Sequence, residues 1–304
     1  MGSLVAMMGV LAVVHTDPNL AAAQVVERQS VRVGDIEREY YLHLPPEEGF
    51  EGPRPLVINL HGFTSDARSH MGYTQFNTAA DRAGMIVAYP EGLYGELNGA
   101  EGQTWEIADL NGFDDLGFMA ALIDDVARVY AVDTTRVYAT GFSNGGFFAF
   151  ELACRMSDRV TAVASVAGQL PLQRAQTCQQ SRAVPVMNIY SDTDPTVPLT
   201  GVPGFSLGGE ASARFFAERY GCHPAPDMIA LPDHVPEDGS TVIFKPYSGC
   251  LVGAVETVLV QDAGHTWPDA AESDVLGVTN RDINANDMII EFFLRYTLDD
   301  DPET

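Results

Sequence analysis

Residues 137–146 (VYATGFSNGG) limit the fold of this chain more than any other stretch. An apolar, β-favouring run enters a Gly-Phe-Ser-Asn-Gly turn, and a helical pattern over residues 144–156 leaves it without a spacer. A strand that turns directly into a helix needs small residues where the two backbones approach, and Gly141 and Gly145 supply them. Short apolar runs of the same kind recur at residues 56–60, 85–89, 162–167, 186–190 and 255–260. Continuous runs of this length suit strands buried on both faces. An alternating segment at 39–44 (EYYLHL) reads as an earlier strand. Helical spacing appears at 116–130, 208–220 and 287–296, with Asp114 or Asp115 placed to cap the first and Asn284 or Asn286 the last. Strands alternating with helices imply right-handed βαβ units and a wound, mostly parallel sheet. Residues 91–112, rich in Gly, Glu and Asn, read as a loop beyond a strand end, where open α/β sheets bind ligands.

With 304 residues, 46% of them hydrophobic, the chain suits one α/β domain. Residues 4–14 are apolar and are followed by Ala21-Ala22-Ala23, so residues 1–25 read as a secretory leader and residues 26–304 as a single catalytic domain. The apolar run is too short to cross a bilayer. A net charge of −25 repels phosphate backbones and anionic lipids, so neither a nucleic acid nor a membrane is expected as partner. Lys245 is the only lysine. Four cysteines in an exported chain favour disulfides. Three pairings are possible, and the sequence-local choice is Cys154–Cys178 with Cys222–Cys250. There is no His-Glu-x-x-His and no Cys-x-x-Cys, and no metal or cofactor is expected in catalysis.

Gly-x-Ser-x-Gly between strand and helix resembles the nucleophile elbow of α/β-hydrolases, which lifts the serine hydroxyl above the sheet. Ser143 is then the nucleophile, and it needs a base and an orienting acid, expected in the chain order Ser, acid, His. His265 follows the strand at 255–260 on a Gly264-hinged loop, whereas His223 and His234 lie in Pro- and Asp-rich sequence. His265 is therefore the expected base. Asp192 and Asp194 both stand just past the strand at 186–190. Asp194, before a Pro-x-Val-Pro turn, is preferred, with Asp192 as the alternative. The oxyanion requires two backbone donors, assigned to Asn144 N–H and Phe63 N–H, while His61 reads as a structural member of its loop. Trp105, Phe142 and Trp267 are the expected substrate-binding aromatics.

These pieces together resemble the extracellular polyhydroxybutyrate-depolymerase-like and feruloyl-esterase-like α/β-hydrolases. The matching residues are His61-Gly62-Phe63, Asp114 to Phe118, Gly141 to Gly146, Asp194 to Pro198 and Gly264 to Pro268. The resemblance implies a secreted serine esterase of α/β-hydrolase fold with Ser143, Asp194 and His265 as triad, and it supports the two local cysteine pairs; the few residues between the runs at 162–167 and 186–190 leave little room for a large cap domain. It implies an ester substrate but leaves open a polyhydroxyalkanoate, a synthetic polyester or a cinnamoyl ester of plant cell walls; an open cleft under a short cap region puts the polyhydroxyalkanoate or aromatic polyester first and the cinnamoyl ester as the alternative. A catalytically inactive binding protein on the same fold is the reading from another class. The chain is compatible with a monomer. Where the family has a glycine after Trp-Pro, this chain has Asp269.

Overall fold

The computed structural model describes residues 26–299 except Asn98 and Asp274; the expected leader lies outside the described residues. The described residues open with β1 (Val26–Val33) and β2 (Ile36–His43), then β3 (Arg54–Leu60), α1 (Ala67–Thr74), α2 (Phe76–Ala83) and β4 (Ile86–Pro90). A hairpin of β5 (Leu93–Leu97) and β6 (Ala100–Thr104) forms a separate two-stranded sheet. Next come α3 (Asp115–Val129), β7 (Val132–Phe142), α4 (Asn144–Arg155), β8 (Ala162–Val166), α5 (Leu172–Thr177), β9 (Val186–Ser191) and α6 (Gly209–Arg219). The last elements are β10 (Ile229–Ala230), β11 (Thr241–Pro246), β12 (Val255–Gln261) and α7 (Ala285–Phe293).

Ten strands make one sheet in the order β1-β2-β4-β3-β7-β8-β9-β12-β11-β10. From β4 to β12 every pairing is parallel, and the edges are antiparallel. All the continuous apolar runs of the sequence lie in this parallel centre. The reason is visible in β3: Leu56, Ile58 and Leu60 join one buried cluster with Phe118 and Phe148, while Val57 joins the other with Phe76 and Phe293. Both faces are covered by helices, so neither can be polar. The α/β-hydrolase architecture expected from sequence is present.

Capping chemistry sets the helix starts. Asp114 accepts from Gly117 N at 2.8 Å and Asn284 from Asp287 N at 3.1 Å. Asp115, the alternative cap, is instead buried against Arg38 at 2.7 Å. Residues 91–112 are not one loop: the β5–β6 hairpin occupies most of them. Cys154–Cys178 and Cys222–Cys250 are both bonded, tying the ends of α4 and α6 to following loops. Lys245 is 6% exposed and paired with Glu210.

Candidate active site

The end of β7 and the start of α4 build the first wall. Ser143 sits between them with φ 55° and ψ −118°, a conformation that an L-residue adopts only under constraint. The constraint is packing. A Cβ on Gly145 would lie 2.3 Å from Leu60 O, and one on Gly141 would lie 2.6 Å from the Gly145 backbone. The helix start is thus pressed against the end of β3, and the serine projects at the C-terminal edge of the sheet. The first bond of this helix runs from Phe147 N to Ser143 O at 2.9 Å. Asn144 N–H lies in the first turn, where amides have no acceptor within the helix.

The second wall comes from the loops after β9 and β12. His265 Nδ1 lies 2.6 Å from Asp194 Oδ2, and both residues are buried. A carboxylate only accepts, so Nδ1 carries the proton and the Nε2 lone pair is left as the basic site. Asp194 is itself held: its Oδ1 accepts from Thr196 N at 2.7 Å and Val197 N at 2.8 Å. Asp192 serves differently, accepting from Asp262 N at 2.9 Å and so closing the turn between two strand ends. His265 N donates to Leu276 O at 2.7 Å, and a Cβ on Gly264 would lie 2.1 Å from that same oxygen. Asp269 has φ 64°, a left-handed conformation that glycine adopts without strain. The aspartate keeps it through bonds from Asn284 Nδ2 at 2.7 Å and Arg281 at 3.4 Å.

Ser143 and His265 line one cavity of about 390 Å³ together with Gly62, Phe63 and Phe142. Its other walls are Ser65, Ser69, His70 and Tyr73 from α1 and its approach, with Thr196 and Leu276 opposite in sequence. Phe142 packs against His265, ring centroids 4.9 Å apart. The structure therefore brings Ser143, Asp194, His265, Phe63 and Phe142 together.

Two expectations need correction. Trp105 and Trp267 are fully buried and line no part of this cavity. Their polar atoms face inward. Trp267 Nε1 donates to Asn286 Oδ1 at 2.9 Å, and its backbone N–H to Tyr73 Oη at 3.0 Å. Trp105 Nε1 donates to His61 O at 2.8 Å, and its backbone N–H to Asn144 Oδ1 at 2.8 Å. Trp105 thus fastens both segments that carry the expected oxyanion donors. The hairpin extends this support, since Thr64 N donates to Gln103 O at 2.9 Å. His61 is structural, as its loop position suggested: Nδ1 donates to Gly62 O at 2.8 Å and Nε2 accepts from Gly92 N at 2.9 Å. Burial, the main cause, brings its pKa down to about 4.

His70, Tyr73, Thr196 and Leu276 are cavity residues that sequence reasoning missed. A signal existed for the first two. Asp66 caps α1 through Ser69 N at 2.8 Å, and His70 and Tyr73 then fall one turn apart on one face.

Residues 38–202 match the family model described as esterase PHB depolymerase, which is more than half of the chain. The chain belongs to the esterase PHB depolymerase family. It is accordingly a carboxylic ester hydrolase. NocK of Nocardia uniformis subsp. tsuyamanensis, named as an esterase, is 32% identical over 90% of this chain and 84% of its own length. Feruloyl esterase B of Piromyces equi is 28% identical over 59% of this chain, which spans only 35% of that larger protein. The acetyl xylan esterase of Aspergillus awamori superposes with a TM-score of 0.61 at 15% identity, covering 88% of this chain and 98% of that one. A ferulic acid esterase from Anaeromyces mucronatus does so with a TM-score of 0.53 at 14% identity, covering 83% and 88%. At such identities the likeness is one of fold: this PHB depolymerase family member shares the α/β-hydrolase fold with those two proteins.

Proposed function

We propose that this chain is a secreted serine esterase that cleaves polyester or polyhydroxyalkanoate chains through an acyl-enzyme, with residues 26–304 as one catalytic unit. The observation that carries the reading is the 2.6 Å contact between His265 Nδ1 and Asp194, made in the cavity that Ser143 also lines. Ser143 Oγ attacks the ester carbonyl carbon while His265 Nε2 takes its proton. Asp194 stabilises the imidazolium. The N–H groups of Phe63 and Asn144 hold the oxyanion, each worth about 3 kcal/mol of barrier lowering. The intermediate collapses, the bond to the leaving oxygen breaks, and Nε2 returns the proton to the alcohol. Water then repeats the sequence on the acyl-serine and releases the acid.

Export is supported by the two bonded cysteine pairs, which persist in oxidising compartments. A polymeric substrate is supported by family membership and by the short connection between β8 and β9, which holds only α5. A second reading, a feruloyl esterase, is favoured by the aromatic rings of Phe63, Tyr73 and Phe142 around the cavity, which suit a flat acyl group. Steady-state assay on hydroxybutyrate oligomers, an aromatic polyester and methyl ferulate separates the two. Ser143→Ala is expected to lower turnover of every ester by at least about 10⁴-fold while the folded spectrum is retained. Near-wild-type turnover in that variant would refute the serine mechanism.

A further inference from the structure

Helix α1 brings to the cavity two ring side chains, His70 and Tyr73, that the acyl-transfer scheme does not use. We propose that His70 and Tyr73 form an acceptor–donor pair that binds a hydroxyl group of the substrate, making this a hydroxyl-selective subsite. The inference rests on the serine-esterase reading of the same cavity.

Both residues belong to α1 and line the cavity with Ser143 and His265. His70 is 2% exposed, and its Nε2 lies 2.8 Å from Asn59 Oδ1. An amide oxygen only accepts, so Nε2 holds the proton and Nδ1 is left with a lone pair. Burial, with a smaller push from His61, brings the pKa of His70 down to about 3. The imidazole thus stays neutral and Nδ1 stays an acceptor wherever an esterase works. Tyr73 Oη already accepts the Trp267 N–H at 3.0 Å. Its own proton is free to be donated, and burial raises its pKa, which keeps that proton in place. Phe142 lies beside the pair, its ring centroid 5.7 Å from that of Tyr73. Phe63, Leu276, Ser65, Ser69 and Thr196 also line the cavity, and the Ser69 and Ser65 hydroxyls already donate to Asp66. A lone acceptor and a lone donor one helical turn apart are satisfied together by one group that can do both. Among substituents of an ester substrate, that group is a hydroxyl. An apolar acyl chain entering the cavity would displace water from both and replace neither bond.

Two kinds of ester carry such a hydroxyl: a chain end of a hydroxyacid polyester, and a phenolic cinnamoyl ester. Matched pairs distinguish them. The p-nitrophenyl esters of 3-hydroxybutyrate and butyrate form one pair, and methyl ferulate with methyl 3,4-dimethoxycinnamate the other. In at least one pair the wild-type enzyme is expected to prefer the hydroxyl member by about tenfold or more in kcat/KM. The preferring pair names the source. Tyr73→Phe is expected to bring that ratio toward one, and His70→Phe to do the same. Loss of the Trp267 contact in Tyr73→Phe acts on both members of a pair alike and leaves their ratio unmoved, so a ratio unchanged in a folded variant overturns the proposal. Ratios near one in both wild-type pairs overturn it without any variant. Ester cleavage surviving Ser143→Ala is a separate result and overturns the serine scheme instead.

Discussion

His265 and His61 follow the C-terminal ends of two strands of the same sheet, yet their partners are opposite in kind. His265 meets a carboxylate at 2.6 Å. His61 meets a carbonyl oxygen and a backbone N–H. A carboxylate offsets the cost of charging a buried imidazole, whereas neutral dipoles do so incompletely, and dehydration holds His61 down at about 4. His265 thus faces a partner that complements a positive charge, and His61 stays a neutral strut. Both rings are buried, so the charge of the partner is what differs between them.

The strongest way to break this contrast is to neutralise the partner. Asp194→Asn keeps the shape and removes the charge, and kcat is expected to fall about 10³–10⁴-fold with KM little changed. A fall below tenfold in steady-state kinetics would mean that Asp194 only shapes its loop. On the other side of the cavity, Trp105→Phe deletes the indole N–H that holds His61 O. The expected loss is about tenfold in kcat, again with KM held, because the loop it misplaces carries the proposed oxyanion donor Phe63 N–H. Parallel changes in KM and kcat would argue against a purely positioning role.

Acid distinguishes the strut by stability. Unfolded histidine takes up a proton near pH 6.5, while folded His61 does not until about 4 and folded His70 until about 3. The unfolded chain thus binds more protons across this window. Their contribution is complete above pH 6.5 and is lost as pH falls toward 4 and below. His61→Gln is expected to flatten the slope of stability against pH there by up to about 1.4 kcal/mol per pH unit, read by urea melts at several pH values. An unaltered slope would place the proton elsewhere. The smallest effect is expected at Asp269→Gly on the His265 loop. Relief of the φ 64° backbone and loss of the Asn284 bond nearly cancel, giving a change within about 0.5 kcal/mol by thermal melting. A loss above about 2 kcal/mol would mean that side chains, not backbone, hold that loop.

How far the sequence could be read follows from the same physics. The elbow at Ser143 was legible because a strand meeting a helix at a serine requires glycines where any Cβ would collide with Leu60 O. The six parallel strands were legible because both of their faces are buried. The β5–β6 hairpin was not: β5 alternates only between half-buried and exposed, and β6 buries Gly102 and Thr104, small residues in a Gly- and Glu-rich stretch, a weak signal for a strand. Helices α1 and α2, eight residues each, carry too few turns for a clear period, and with α1 went His70 and Tyr73. The tryptophans misled for a definite reason. Indole is large enough to suit a substrate wall, but its N–H also makes it a good internal tie, and composition cannot tell which end of the ring faces water.

The burial of Lys245 beside the exposed Glu210 has a practical side. With one lysine in the sequence, and that one 6% exposed on β11, amine-directed reagents find no reactive side-chain amine on the folded domain. Denaturation frees a single ε-amino group. Acylation at that position would then count opened molecules one by one, a label that heat switches on.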